Sequence, residues 1–300
     1  MRCLIVHNPR SGFGSSAIFE FERALVAEGD ECVLRILGHA QAAETAVTDA
    51  EEFDLVVVSG GDGTTTSLLY ALRYRNVTAC VFPSGTANLF CVNLGNAAEP
   101  PALARACRIG RTAYTDLGEI RFTDAQGLEH VHGFSLMMGT GFDAQIISAA
   151  VKGKAALGEA AYFAAALANV HPHVYQFNIT VDGRVYKRSG ISCLIANSST
   201  IQGDIHIVPD SSMADGFLDV IVLEQTATVG LLAPIIAGIM DPNGHTVMRP
   251  QIEHFRGKRI RVETSVASPL EYDGETVDHL YPQSLSRPPR SFQRAQSPLW

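Results

Sequence analysis

Asp54-Leu55-Val56-Val57-Val58-Ser59-Gly60-Gly61-Asp62-Gly63-Thr64-Thr65-Thr66-Ser67 is the stretch on which the reading of the chain turns. Its apolar, β-branched run Leu55–Val58 reads as a strand buried on both faces. The run stops at Ser59 and enters Gly60-Gly61-Asp62-Gly63, where three glycines in four positions let the backbone turn sharply and let a ligand approach bare N–H groups. Thr64 to Ser67 offer N-caps for a helix carrying Leu68, Leu69 and Leu72. Strand, glycine turn and helix N-terminus favour an anion such as phosphate, through the amides and the helix dipole. Asp62 would repel a phosphate, which makes sense if a hydrated Mg²⁺ lies between them. The plainer reading is a tight turn with a surface Asp. Phosphate binding is preferred because turns seldom need three glycines.

Working outward, Cys3–His7 reads as a short buried strand followed by the turn-forming loop Asn8-Pro9-Arg10-Ser11-Gly12-Phe13-Gly14. A helix is expected from about Ser16, with Ile18, Phe21, Leu25 and Val26 on one side. A strand near Glu31–Leu37 and a helix near Ala40–Ala50 come next. Beyond the central strand and its helix, Thr78–Phe82 is another buried strand, ending at Pro83-Ser84-Gly85-Thr86-Ala87-Asn88. Alternating strands and helices imply a parallel sheet with right-handed crossovers. Loops 8–14, 59–64 and 83–88 all follow strands, so they fall at the carboxyl edge, where open α/β sheets bind ligands.

The texture changes near Ala113. Ala113–Thr123 and Glu129–Met137 read as strands joined at Asp124-Ala125-Gln126-Gly127, and an alanine-rich helix is expected over much of Ala144–Val170. Strands resume at Tyr175–Val181, turn at Asp182-Gly183, and continue through Val185–Ser189, Ile191–Ala196, Val220–Leu223, Arg259–Thr264 and Leu270–Tyr272. Short strands without interleaved helices suggest an antiparallel sandwich. The expected organisation is a nucleotide-binding α/β domain over 1–115, a β-sandwich domain over 116–282 and a disordered polar tail over 283–300, with the ligand cleft between the domains.

Three hundred residues suit two domains, and an apolar content of 46% with 18% charged residues describes a globular chain with a large core. The net charge of −8 argues against a nucleic-acid partner and against simple electrostatic docking on anionic lipid. None of the six cysteines forms a CxxC pair; Cys3, Cys80 and Cys193 sit in apolar runs and read as reduced core residues of a cytosolic protein. No secretory signal is read, and no stretch reaches the ~18 apolar residues of a membrane span. Val229–Met240 is an uncharged stretch read as a buried helix; its alternative is an apolar rim that touches lipid.

Several residues can carry chemistry. Arg10 can reach a polyphosphate, and Ser11 and Gly12 can present amides beside the side-chain turn of Asn8. Thr86 and Asn88 offer hydrogen bonds to a nucleotide or caps to the next helix. Asp215, in Met213-Ala214-Asp215-Gly216-Phe217-Leu218-Asp219, reads first as an Asp-Gly turn and otherwise as a metal ligand. Glu271, Asp273 and Glu275 cluster around Gly274, and a carboxylate there can act as general base. Gly139-Thr140-Gly141-Phe142-Asp143 is a further glycine-bounded acid. The histidines form no metal-ligand spacing and read as surface or structural residues.

Asn8-Pro9-Arg10-Ser11-Gly12, Gly60-Gly61-Asp62-Gly63-Thr64 and Pro83-Ser84-Gly85-Thr86-Ala87-Asn88, in that order, resemble the diacylglycerol kinase catalytic-domain family, which includes sphingosine and ceramide kinases. Gly139–Asp143, Asp215–Asp219 and Asp273-Gly274-Glu275 look like second-domain motifs of its bacterial members, so the resemblance covers most of residues 1–280. It implies a Rossmann-like parallel α/β domain, a C-terminal antiparallel β-sandwich, and ATP as phosphoryl donor. Loop 8–12, loop 60–64 and Thr86 would contact the nucleotide. Mg²⁺ would lie near Asp215, with backbone carbonyls such as those of Ser212 and Phe217, and Glu275 or Asp273 would be the base. The reaction implied is phosphoryl transfer to a lipid hydroxyl, diacylglycerol by default, by a cytoplasmic protein in transient contact with a membrane surface, with a homodimer as one partner state. A kinase for a soluble acceptor such as NAD, and a nucleotide- or lipid-binding protein without turnover, are the alternatives. Arg35-Ile36-Leu37-Gly38-His39-Ala40 lacks the Thr that relatives often carry there. Tyr281-Pro282 leads into the polar tail, so the strand that closes relatives after the Asp-Gly-Glu motif is expected to be absent or irregular.

Overall fold

The structure is a computed structural model that describes residues 1–11, 16–39, 41–85, 88–96, 99–109, 112–124, 127–141, 173–198, 200–202, 205–206, 208, 210–224, 254–266, 268, 270–273, 275–277 and 292–299. It divides into two compact units. The first is Met1–Leu117 with Gly133–Ser135 and Ala295–Trp300; the second is Gly118–His132 with Leu136–Arg294.

In the first unit, β1 (Arg2–His7), β2 (Glu31–Ile36), β3 (Leu55–Gly60) and β4 (Ala79–Pro83) form a parallel sheet in the order β2-β1-β3-β4. Every residue of β3 is buried, as its unbroken apolar run requires of a central strand. Helix α1 (Ala17–Ala27) buries Ile18, Phe21 and Leu25, which pack with Cys3, Ile5, Leu55, Val57, Cys80 and Phe82 of the sheet. Val26 falls off that stripe and is exposed, a correction to its expected place. The expected helix over 40–50 shrinks to α2 (Ala43–Ala46) and a 3-10 turn at Ala50–Glu52. The Arg35 guanidinium explains the break: it donates to the Ala46 carbonyl at 2.6 Å and to both Asp49 carboxylate oxygens at 2.8 and 2.9 Å, holding the chain out of a continuing helix. After β3 comes α3 (Asp62–Leu72), and after β4 come α4 (Leu89–Asn93) and α5 (Pro100–Ile109). Leu103, Ala104 and Cys107 of α5 join the α1 cluster.

Strand β5 (Ala113–Thr123) pairs with β6 (Glu129–Phe134). In the second unit β7 (Met137–Gly141), β8 (Tyr175–Val181), β9 (Arg184–Gly190), β10 (Ser192–Ala196), β11 (Thr200–Gln202), β12 (Ile205–His206), β13 (Leu218–Leu223), β14 (His254–Gly257), β15 (Arg259–Thr264), β16 (Leu270–Tyr272) and β17 (Glu275–Val277) follow. An antiparallel sheet runs β14-β13-β10-β7-β16-β17, and β15, β8 and β9 pair antiparallel in that order. Strands β10 and β13 are buried throughout, whereas β8 alternates, with Tyr175, Phe177, Ile179 and Val181 inward and Gln176 and Asn178 outward. The expected class therefore holds: a parallel α/β unit and an antiparallel, sandwich-type β unit.

The tail departs from expectation. Phe292–Leu299 forms strand β18, whose Leu299 is the parallel partner of Ala79 in the first unit and whose Phe292 and Gln293 pair antiparallel with Ile260 and Arg259 in the second. Backbone pairing needs no regular apolar pattern, so the Pro-, Ser-, Arg- and Gln-rich surroundings concealed a strand. The helix expected over 144–170 and the apolar stretch 229–240 lie outside the described residues. Among the described residues no helix is long and apolar enough to cross a membrane. All six cysteines are free thiols.

Candidate active site

The three loops at the carboxyl edge of β1, β3 and β4 meet. The Asn8 side-chain amide donates to Thr64 Oγ1 at 2.8 Å, and the Asn8 backbone N–H donates to the Ser59 carbonyl at 2.8 Å. These bonds fix the first loop onto the glycine turn. Asn8 Oδ1 also accepts from the Arg10 N–H at 3.1 Å, the side-chain turn expected of it. Arg10 sends its guanidinium to the Gly38 carbonyl at 3.1 Å, so in this state it braces the start of the second crossover.

Glycine is demanded at two places. A Cβ on Gly60 would lie 2.6 Å from Cβ of Thr64, and one on Gly85 would lie 2.6 Å from Cα of Gly61. The second and third loops thus touch backbone to backbone. The helix opens earlier than expected: Gly61 is the N-cap and Asp62 the first residue of α3, so Thr64 to Ser67 are not caps. The reason is the glycine turn itself, which completes its bend by Gly61. The first-turn amides of α3 therefore lie at Asp62, Gly63 and Thr64, at the positive end of the helix dipole.

Asp62 begins the helix and its Oδ1 accepts from the Phe90 N–H of α4 at 3.2 Å. The carboxylate thus ties the second loop to the third. Asn88 has φ +49°, and its side chain closes a ring with Gly85: Gly85 N–H donates to Oδ1 at 2.6 Å and Nδ2 donates to the Gly85 carbonyl at 2.8 Å. It shapes the loop rather than capping α4, where it makes no side-chain cap bond. Gly12 and Thr86 lie outside the described residues.

In the second unit, Asp215 Oδ1 accepts from the Phe217 N–H at 2.9 Å, and Oδ2 lies 3.5 Å from Arg256 Nη1. Arg256 also donates to buried Asp219 at 2.8 Å and to the Asp210 carbonyl at 2.8 Å. The Asp219 bond first, then the charges of Asp219, Asp215 and Asp210, hold its pKa above the ordinary arginine value. The Ser212 hydroxyl accepts from the Ala214 N–H at 3.2 Å. Among the described residues no three His, Cys, Asp or Glu side chains converge on a point that could hold a metal. The Asp215 carboxylate with nearby carbonyls offers the hard oxygen donors that suit Mg²⁺, but only one charge and a neighbouring guanidinium, so an ion held there keeps most of its water.

Tyr272 of β16 and Glu275 of β17 are antiparallel partners. Asp273 has φ +45°, and its Oδ1 accepts from the N–H groups of Leu136 at 2.9 Å and Met137 at 3.2 Å. Its own N–H donates to the Met137 carbonyl at 2.9 Å. Asp273 therefore clamps the hairpin to the β6–β7 turn. Glu275 is described in its backbone alone, Gly274 lies outside the described residues, and so do Phe142 and Asp143. Sequence reading missed the Arg256 brace, for which no spacing signal exists. It also missed the Asp273 clamp, for which the Asp-Gly turn signal was present.

Comparison with known proteins bears on the family and the fold. Residues 2–120 match the diacylglycerol kinase catalytic domain, and residues 137–293 match the YegS C-terminal NAD kinase beta sandwich-like domain. A diacylglycerol kinase of Bacillus subtilis is 27% identical over 287 residues, covering 91% of this chain and 89% of that one. One from Mycobacterium tuberculosis is 27% identical over 295 residues, covering 95% and 92%. A solved structure described as a diacylglycerol kinase from Bacillus anthracis shares the fold, with a TM-score of 0.71 at 22% identity, over 98% of this chain and 93% of that one. The chain belongs to the diacylglycerol kinase catalytic-domain family, a family of kinases.

Proposed function

We propose that the chain is an ATP- and Mg²⁺-dependent lipid kinase that transfers the γ-phosphate to a lipid hydroxyl, diacylglycerol by default. The observation that carries this reading is the meeting of the three loops. Asn8 bonds Thr64, and Gly85 lies against Gly61, which leaves bare backbone and the start of α3 at one corner of the sheet. Such a corner suits a polyphosphate. Gly60, Gly61, Gly63 and Thr64 present amides to it, Asn8, Pro9 and Ser11 flank it, and Gly12 is a further proposed nucleotide contact. Arg10 leaves Gly38 to pair with a phosphate, Asn88 shapes the third loop, and Thr86 is a further proposed nucleotide contact.

Transfer is in line, with positioning and electrostatic stabilisation supplying most of the rate. Glu275 takes the proton of the acceptor hydroxyl. Asp273 holds the turn that presents it, and Asp62 joins the glycine turn to α4 and would help hold a hydrated Mg²⁺ beside the phosphates. Asp215 with the carbonyls of Ser212 and Phe217 would hold Mg²⁺, which when bound would supply charge neutralisation at the phosphates. The acceptor is met at a membrane surface by a peripheral, cytoplasmic protein.

The likeness of residues 137–293 to a NAD kinase-type domain supports a second reading, phosphorylation of a soluble acceptor such as NAD. Labelled ATP, Mg²⁺ and a panel of micellar lipids plus NAD separate the two. Label in a lipid supports the proposal and label in NAD alone supports the second reading. ATP binding with no label in any acceptor marks a binding protein without turnover.

A further inference from the structure

Four rings stand in a column in the second unit, and the reading above gives the column no part. Phe122, near the end of β5, stacks on His130 and His132 of β6, with ring centroids 5.2 and 5.9 Å away and planes 19° and 21° apart. The two imidazoles lie 6.2 Å from each other at 10°, and His132 stacks on Tyr272 of β16 at 5.3 Å and 20°. His130 and His132 are two residues apart, so they share one face of their strand. Phe122 is buried and the other three rings are half-buried. At the far end of the column His130 Nε2 lies 2.7 Å from Asp124 Oδ2, which fixes that ring in turn.

The column ends on an element that needs support. Strands β16 and β17 have three residues each, and β17 is the last strand in the order of its sheet. So short a hairpin is marginal on its backbone bonds alone. Tyr272 is the ladder partner of Glu275 and the neighbour of Asp273. Asp273 pins the hairpin to the N–H groups of Leu136 and Met137, between β6 and β7. The ring stack pins the preceding residue to β6 itself. Two anchors on different segments fix the tilt of a hairpin as well as its place, which one anchor cannot do.

We infer that the Phe122–His130–His132–Tyr272 column positions the proposed base: His132, through Tyr272, holds the strand of Glu275 where it can take the proton of the acceptor hydroxyl. His132 and Tyr272 are thus positioning residues that act through the hairpin. The inference rests on the reading of Glu275 as base. Because the contact is a stack of flat faces, a ring at position 132 is what it requires.

The test is steady-state kinetics of the full chain with MgATP and micellar diacylglycerol, together with equilibrium binding of MgATP. His132→Leu should lower kcat about tenfold, since a small misplacement of a reacting group is costly, while KM and affinity for MgATP stay near wild type. His132→Phe, which keeps a flat ring, should retain most of the kcat. Tyr272→Leu, also at a half-buried position, should match His132→Leu, and the double variant should lose little more than either, because the two act through one contact. In a Glu275→Gln background His132→Leu should change the residual rate less than about twofold, because the group it positions is gone. A structural role alone would lower the melting temperature and leave the rate per folded molecule unchanged. Wild-type kcat in folded His132→Leu or Tyr272→Leu, a folded but inactive His132→Phe, or a full tenfold loss in the Glu275→Gln background would overturn the positioning role and leave the kinase reading in place. Full activity of Glu275→Gln alone would overturn the base assignment and this inference with it. A wild-type protein that labels no acceptor would overturn the kinase reading itself.

Discussion

Asp62 in the first unit and Asp273 in the second each sit beside glycine at a sharp corner, and each carboxylate accepts backbone N–H groups from a neighbouring loop. Asp62 takes one such bond, at 3.2 Å, from the first turn of α4. Asp273 takes two on one oxygen and adds a bond from its own N–H. The second unit repeats that device at Asp182, which has φ +47° in the hairpin between β8 and β9 and accepts from the N–H groups of Lys258 and Arg259 at distances down to 2.9 Å. Asp182 belongs to no motif of the proposed reaction. Asp273 is built like it, so its geometry is that of a fold-forming clamp, which is why the proposed base is Glu275. In the first unit the acid opens a helix instead of closing a hairpin, and its neighbours are the glycines of the proposed nucleotide corner.

That contrast can be broken in several places. The largest effect belongs to Glu275→Gln, which should lower kcat by about 10²–10⁴-fold while nucleotide affinity stays near wild type; full activity would remove it as base. Asp273→Ala should lower unfolding stability by about 2–3 kcal/mol, because two N–H groups lose their acceptor. Asp273→Asn keeps an oxygen and tolerates the left-handed backbone, so it should lose under about 1 kcal/mol and retain much of the turnover. An Asp273→Asn enzyme that is fully folded but dead would instead make Asp273 the base. Asp182→Ala should match Asp273→Ala in stability loss yet leave the residual rate of the folded protein unchanged. Asp62→Ala should weaken MgATP use by about tenfold with a smaller stability loss, and an unchanged Mg²⁺ dependence would count against its role.

The smallest effects are on pH. Burial pushes the Cys193 thiol up to about 12 from 9.0, and Cys3 likewise to about 12. An unfolded chain ionises these thiols first, so the stability they hold below pH 9.0 is lost as pH rises toward about 12. His7 runs the other way: burial lowers its pKa, which gives stability that is present above 6.5 and lost as pH falls below it. Denaturant melts of Cys193→Ala and His7→Asn across pH would show each slope flatten.

The first unit was largely legible in the sequence because its signals are strong and local. Leu55–Val58 is an unbroken buried run, and glycines mark each place where backbones approach. The strands of the second unit were legible from alternation, as in Tyr175–Val181. Side-chain bonds between distant segments were not. Arg35 shortened a helix by gripping Asp49, and Asp62 reached Phe90, neither of which any periodicity encodes. Strand β18 was missed because its partners, Ala79 and Arg259, lie far away in sequence and its own residues show no apolar alternation. His7 read as an unremarkable histidine because its partner, Ser59, comes from another strand end.

Amide hydrogen exchange with and without MgATP tests the central claim most directly. Binding at the corner of the first unit should slow exchange at Gly60, Gly61, Gly63 and Thr64 and at Ser84 and Gly85. Protection confined to other segments, with those amides exchanging as fast as in the ligand-free protein, would contradict it.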